Sequence, residues 1–158
     1  MCGISGVYNY LNKSTSSKNI IEKISKLQNV RGPDGTGIWE SFCKKVCFGH
    51  NRLSIIDLSN RASQPFVSSD EKYTITFNGE IYNYKELKKE LLKNNIIFKS
   101  DSDTEVIIES YKYWGIEFVN KLRGMFAFAI WDNLKKELIL ARDPFGIKPL
   151  YFSKKNDI

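Results

Sequence analysis

Short apolar runs punctuated by turn chemistry constrain the fold of this chain most. Residues 2–10 are β-branched, aromatic and small, and read as a strand. Residues 37–42, 46–56, 73–77, 125–131 and 137–141 read the same way, and Leu150-Tyr151-Phe152 opens a further strand. The breaks carry turn residues, as in Arg31-Gly32-Pro33-Asp34-Gly35 and Asp132-Asn133. Residues 13–18 form a polar loop. Helical spacing is confined to three stretches. Over 19–28 it sets Ile20, Ile24 and Leu27 on one side, and over 84–94 it turns Leu87 and Leu91 inward. A longer helix spans 103–114 and stops at Gly115 as C-cap. Strands outnumber helices and are mostly joined by turns, which predicts an α+β fold of antiparallel sheets covered by helices, not a βαβ array. At 158 residues without internal repeats, the chain reads as one domain over 1–158.

Composition excludes several classes of function. With 42% hydrophobic and 27% charged residues the chain is ordinary for a soluble globular protein. No apolar run approaches the roughly 20 residues that span a membrane, and the N-terminus lacks the basic-then-apolar pattern of an export signal. Three cysteines are few and odd in number, which fits a reducing cytoplasm better than a disulfide scaffold. A cytoplasmic protein with no membrane partner is therefore expected. The net charge of +6 invites a nucleic-acid reading. Lysine, however, supplies 19 of the 24 basic residues, mostly scattered, and pairs such as Lys88-Lys89 and Lys135-Lys136 suit solvated faces. No base-reading motif accompanies them, so no nucleic-acid partner is expected. Cys43, Cys47 and His50 match no common zinc spacing, and the two cysteines read as small hydrophobes on adjoining strands, so no metal site is expected. No Gly-rich loop ending in Lys-Ser or Lys-Thr is present to cradle phosphates.

Four places in the chain carry chemistry. The start is Met1-Cys2-Gly3-Ile4-Ser5-Gly6. Removal of Met1 would give Cys2 both a thiol and a free α-amine. A thiol titrates near about 8.5 and an α-amine near about 7.7–8.0, so near neutral pH the amine can take the proton of its own thiol. The alternative is a small residue on a first strand. Asn78-Gly79 is a standard hairpin-turn pair, yet the chain leads from it into a helix instead of a returning strand. A side-chain amide beside a glycine N–H is also what an oxyanion hole requires, each donor being worth roughly 2.7–4 kcal/mol. Asp103 lies in a Ser102-Asp103-Thr104-Glu105 stretch with the form of a helix capping box. Arg52 ends a strand, and an arginine grips a carboxylate through two parallel hydrogen bonds.

In order, MCGISGV, RGPDGTG, HNRLSIIDLS, FNGEIYNYKEL, SDSDTEVI, RGMFAFAIWD and ARDPFGIKPLYF resemble the glutaminase domain of glutamine-hydrolysing asparagine synthetases, a class II glutamine amidotransferase. The likeness covers almost the whole chain. It implies the N-terminal-nucleophile hydrolase fold, an αββα sandwich of two antiparallel sheets between helix layers. It also implies Cys2 as nucleophile and an oxyanion hole of the Asn78 side chain and the Gly79 N–H. Arg52 would then hold the α-carboxylate of glutamine, and Glu80 and Asp103 its α-ammonium. The charges suit a zwitterion, which needs one cation and one or two carboxylates around its head. No cofactor is implied for this domain. ATP and Mg²⁺ would belong to a C-terminal synthetase domain, in cis or in trans, that uses the ammonia to make asparagine from aspartate. These residues contain no Ser-Gly-Gly nucleotide loop for such a domain. The resemblance also allows for a homodimer of the full protein. Related proteins amidate other acceptors, and a rival reading is a non-catalytic domain that senses glutamine or pairs with a synthetase. One departure stands out: Val30 occupies the position before RGPD where the family commonly has His, which points to a change in packing or in the motion of the glutamine loop.

Overall fold

A computed structural model describes residues 1–11, 16–54 and 60–154. The strands are β1 (Gly3–Tyr8), β2 (Gly35–Glu40), β3 (Val46–Arg52), β4 (Phe66–Val67), β5 (Tyr73–Ile81), β6 (Gly124–Asp132) and β7 (Glu137–Arg142). The helices are α1 (Lys18–Gln28), α2 (Tyr84–Lys93) and α3 (Asp103–Trp114). The strands form two antiparallel sheets, one ordered β1-β3-β2 and the other β4-β5-β6-β7.

The period of two along each strand sorts side chains between faces. On β3, Val46 and Phe48 point at the second sheet, where they pack with Ala129 and Trp131 of β6 and with Tyr8, Trp39 and Leu138. On β5 and β6, Ile75, Phe77, Ile81, Phe126, Phe128 and Ile130 point the other way. They meet Leu87 and Leu91 of α2 and Val106, Ile107 and Tyr111 of α3. The far face of the first sheet takes α1, which contacts β1, β2 and β3. The layers therefore run α1, sheet, sheet, α2 with α3: the αββα sandwich expected from the resemblance. Most of the large side chains lie on the helix-covered face of the second sheet, and each buried one contributes roughly 1.5–3 kcal/mol.

Several expectations need correction. The buried face of α1 is Ile21 with Ser25; Ile20 is exposed and Leu27 is 81% exposed. The cause is Gly49 on β3, beneath the helix. A Cβ there would come within 2.6 Å of Ile21 Cγ2 and Ser5 Oγ and 2.9 Å of Ser25 Oγ. Helix and sheet thus approach so closely that a small serine fits the buried stripe. Strand β5 does not end at Phe77 but runs through Asn78, Gly79 and Glu80 to Ile81, paired to β6 throughout. Asn78-Gly79 is therefore strand and not turn. Leu150-Tyr151-Phe152 forms no strand, and its two aromatic rings are exposed. Strand β4 and the 3-10 turns at Asn60–Ala62 and Gly115–Lys121 were not anticipated. Gly115 does cap α3, its N–H donating to the Tyr111 carbonyl. Cys47 is buried on β3, whereas Cys43 lies in the turn between β2 and β3. Val30 is 89% exposed, so the departure from the family pattern changes no buried packing. Ile55 and Ile56, expected to end the β3 strand, lie outside the described residues, as do 13–15 of the expected polar loop. Among the described residues no helix is long and apolar enough to cross a membrane.

Candidate active site

All six candidate residues line one cleft at the end of the sandwich: Cys2, Arg52, Asn78, Gly79, Glu80 and Asp103. The facing rule explains how. Arg52 is in step with Val46 and Phe48, so it points at the second sheet. The β1–β3 pairing of Gly3 with Asn51 puts Cys2 opposite Arg52 on that same face. Asn78 and Glu80 are out of step with Phe77 and Ile81, which face the helices, so they point back at the first sheet. Two residues from each sheet are thereby brought face to face.

Cys2 is half-buried. The Leu53 N–H donates to its Sγ at 3.3 Å, and the thiol lies 3.7 Å from the Leu53 carbonyl oxygen. The Arg31 Nε–H donates to the Cys2 carbonyl at 3.4 Å. The turn that carries Arg31 is pinned against the end of β3. Asp34 donates its N–H to the Arg52 carbonyl at 3.0 Å, and its carboxylate accepts from Ser54 N–H at 2.8 Å. A Cβ on Gly32 would collide with the Asn51 carbonyl, which is why a glycine stands there.

Gly79 has two constraints. A Cβ there would run into the Met125 carbonyl oxygen of β6, so strand packing requires the glycine. Its N–H is the useful group. Along β5 the N–H groups alternate between the two edges of the strand. Phe77 N–H leaves β6 and donates to Gln64 Oε1 at 2.7 Å, and Ile81 N–H leaves it and donates to Asp103 Oδ2 at 3.1 Å. The alternation turns the Gly79 N–H to that same edge, between Gln64 and Asp103. The Asn78 side chain, buried, adds amide donors beside it.

Asp103 opens α3 and is buried. Burial raises its carboxyl from the ordinary value to about 6; backbone N–H groups of Ile81 and Thr104 oppose the rise, and the nearby Glu80 adds to it. The capping-box reading is half correct. Ser102 caps α3 through a bond from Thr104 N–H at 3.1 Å. Glu105 does not reach back to it; its carboxylate accepts from Lys99 N–H, Ser100 N–H and Ser100 Oγ–H. Asp103 lines the cleft, its carboxylate accepting from the N–H groups of Ile81 and Thr104.

Further residues at the cleft escaped the sequence reading of the site. Arg31 and Asp34 were visible as turn residues only. Gln64 bridges the walls, accepting from Phe77 N–H and donating to Thr104 Oγ1 at 3.2 Å. His50 lines the cleft from β3, and its Nε2 donates to the Phe77 carbonyl at 3.1 Å, joining the two sheets. Burial lowers the His50 imidazole to about 4, the Phe77 bond opposing and Arg52 reinforcing the shift, so the ring is neutral. Among the described residues no group of three or more His, Cys, Asp or Glu is arranged to hold a metal ion.

The chain matches the glutamine amidotransferase domain family over residues 1–158. It is 46% identical over 159 aligned residues to asparagine synthetase (glutamine-hydrolysing) 1 of Bacillus subtilis, covering 99% of this chain and 25% of that protein. It is 44% identical to a putative glutamine-hydrolysing asparagine synthetase of Mycobacterium bovis, covering 89% of this chain and 23% of that protein. The chain thus spans about a quarter of the length of these curated relatives. Among solved structures, the glutamine phosphoribosylpyrophosphate amidotransferase of B. subtilis superposes with a TM-score of 0.73 at 23% identity, covering 91% of this chain and 38% of that one. That likeness establishes the shared fold.

Proposed function

The chain belongs to the glutamine amidotransferase domain family, and on that premise we propose that its cleft hydrolyses glutamine with Cys2 as nucleophile. One observation carries the reading: a thiol, a strand N–H, a side-chain amide, an arginine and two carboxylates line the same cleft. With Met1 removed, the neutral α-amine of Cys2 takes the thiol proton. The thiolate then attacks the side-chain carboxamide carbon of glutamine. The oxyanion so formed accepts hydrogen bonds from the Gly79 N–H and the Asn78 side chain. As the C–N bond breaks, the amine passes its proton to the leaving nitrogen and ammonia departs. Water, activated by the same amine, hydrolyses the γ-glutamyl thioester to glutamate. Acid–base help of this kind is worth roughly 10²–10⁴-fold. Arg52 grips the α-carboxylate, and Glu80 and Asp103 receive the α-ammonium.

The decisive test compares protein with a free N-terminal Cys2, confirmed by intact mass, with its Cys2→Ala variant. Glutamate should form from glutamine in the first and not in the second; equal rates would refute the assignment. Retention of Met1 would favour a second reading, since it would keep the base locked in a peptide bond. Protein that retains Met1 should bind glutamine without producing glutamate. The ammonia, by analogy with the relatives, feeds a synthetase domain in the same or a partner polypeptide. There ATP and Mg²⁺ would activate aspartate for conversion to asparagine.

A further inference from the structure

Lys148 is a lysine in an unusual place. It is 6% exposed and lines the cleft with Cys2 and Met1. A buried ammonium is normally paired with a carboxylate. Among the described residues, none lies within salt-bridge distance of this one. The adjacent acid, Asp143, is committed to backbone: its carboxylate accepts the N–H groups of Phe126, Phe145, Ile147 and Lys148 itself. Those bonds hold the Lys148 backbone against β6, and its Nζ reaches the Met1 Sδ at 3.0 Å. A thioether is a weak, neutral acceptor. The protein therefore holds a full positive charge against the side chain of the residue whose removal would create the catalytic amine.

We propose that Lys148 supplies a charge that helps keep the Cys2 α-amine unprotonated, and so able to act as the base, in the processed protein. The proposal rests on Cys2 being the nucleophile. The Met1 sulfur is five covalent bonds from the Cys2 nitrogen, so Nζ lies within roughly 9 Å of it. A like charge at that range disfavours the protonated amine. In an environment of effective dielectric near 20, the expected displacement is on the order of one pH unit.

The other charged groups around the amine act in both directions. From the turn after α1, the Arg31 guanidinium donates to the Cys2 carbonyl and places a second positive charge near the amine, acting in the same direction as Lys148. From β3, Arg52 faces the position assigned to the α-carboxylate, and His50 is neutral. From β5 and α3, Glu80 and Asp103 would favour the protonated amine until the α-ammonium of glutamine neutralises them. Lys148 and Arg31 offset them before substrate arrives, and Lys148 is the one of the two that makes no hydrogen bond to Cys2.

The test uses the full protein with Met1 removed. The pH profile of kcat/KM for glutamine is measured for wild type, Lys148→Met, Lys148→Gln and Lys148→Arg. In the two neutral variants the acidic limb should move up by about one pH unit, with about tenfold lower rates well below it and an unchanged alkaline plateau. Lys148→Arg should keep the wild-type limb. A loss by the same factor at every pH, or an unmoved limb, overturns the proposal. A second measurement needs no activity. In the Cys2→Ala background, reductive methylation of the N-terminal amine is followed against pH with and without Lys148→Met. The amine should titrate about one unit higher without the lysine, and identical titrations would again overturn the proposal. Wild-type protein that makes no glutamate refutes the nucleophile reading, and the amine titration still decides the effect of Lys148.

Discussion

Asp103 is where residue-scale chemistry becomes measurable. A carboxyl raised to about 6 is substantially protonated below that pH and cannot then receive an ammonium. The KM for glutamine should therefore fall as pH rises from 5 to 7. In Asp103→Asn the KM should be higher by about 10–100-fold at neutral pH, the worth of a charged hydrogen bond, and nearly flat over the same range. Initial rates against glutamine concentration at several pH values check this; a wild-type KM without a slope near 6 contradicts it. Asn78 tests a different step. The oxyanion exists only along the reaction path, so Asn78→Ala should lower kcat by about 10²–10³-fold while KM changes little. Cys2, Arg52, Asn78, Gly79, Glu80 and Asp103 were picked out in the chain by the family resemblance that its motifs carry, and all six line one cleft. Lys148 and Gln64 were not, because each matters through a partner far away in sequence: Met1 for the first, Thr104 and Phe77 for the second.

At the scale of elements, close approach of backbones governs the architecture. Gly49 lets α1 settle on β3, and Gly79 lets β5 lie flush against β6. Overfilling either contact costs typically 1–3 kcal/mol. Both Gly49→Ala and Gly79→Ala should lower the denaturant midpoint accordingly. They should differ in activity: Gly79→Ala displaces the oxyanion donor and loses turnover, whereas Gly49→Ala retains most of it in the folded fraction. Periodicity identified the strands and helices well, and it placed Leu87 and Leu91 of α2 inward as observed. It misassigned the buried side of α1, since counting apolar residues favours Ile20 and Leu27 while Gly49 selects Ile21 and Ser25. Asn78-Gly79 misled in the same way. Its local preference is a turn, but pairing to β6 along nine residues of strand overrides that preference.

Over the whole molecule, the two sheets are tied together at the cleft by His50, whose Nε2 joins β3 to the Phe77 carbonyl of β5. Its folded pKa, about 4, is below the ordinary 6.5. The unfolded chain takes up this proton first, so the His50 contribution to stability is lost as pH falls from about 6.5 to about 4. Asp103 acts with the opposite sign. Its folded value is raised from 3.8 to about 6, so the unfolded chain ionises first and stability falls as pH rises through that window. The two offset each other between about pH 4 and 6. Denaturant unfolding of His50→Gln should thus show a smaller loss of stability from pH 6.5 to 4 than wild type; an equal loss would remove His50 from the account. By itself the sequence determined the α+β class and most strands and helices, because periodicity and turn chemistry act over a few neighbouring residues, while the chemical types at the cleft were implied by the motifs' resemblance to a family. Only the tertiary structure decided which way those groups point. Strand alternation and sheet stacking turned Cys2 and Arg52 toward Asn78 and Glu80, the β5–β6 ladder aimed the Gly79 N–H, and the Asp143-braced loop set Lys148 against Met1. Those placements arise from contacts between residues distant in the chain, which no local pattern encodes.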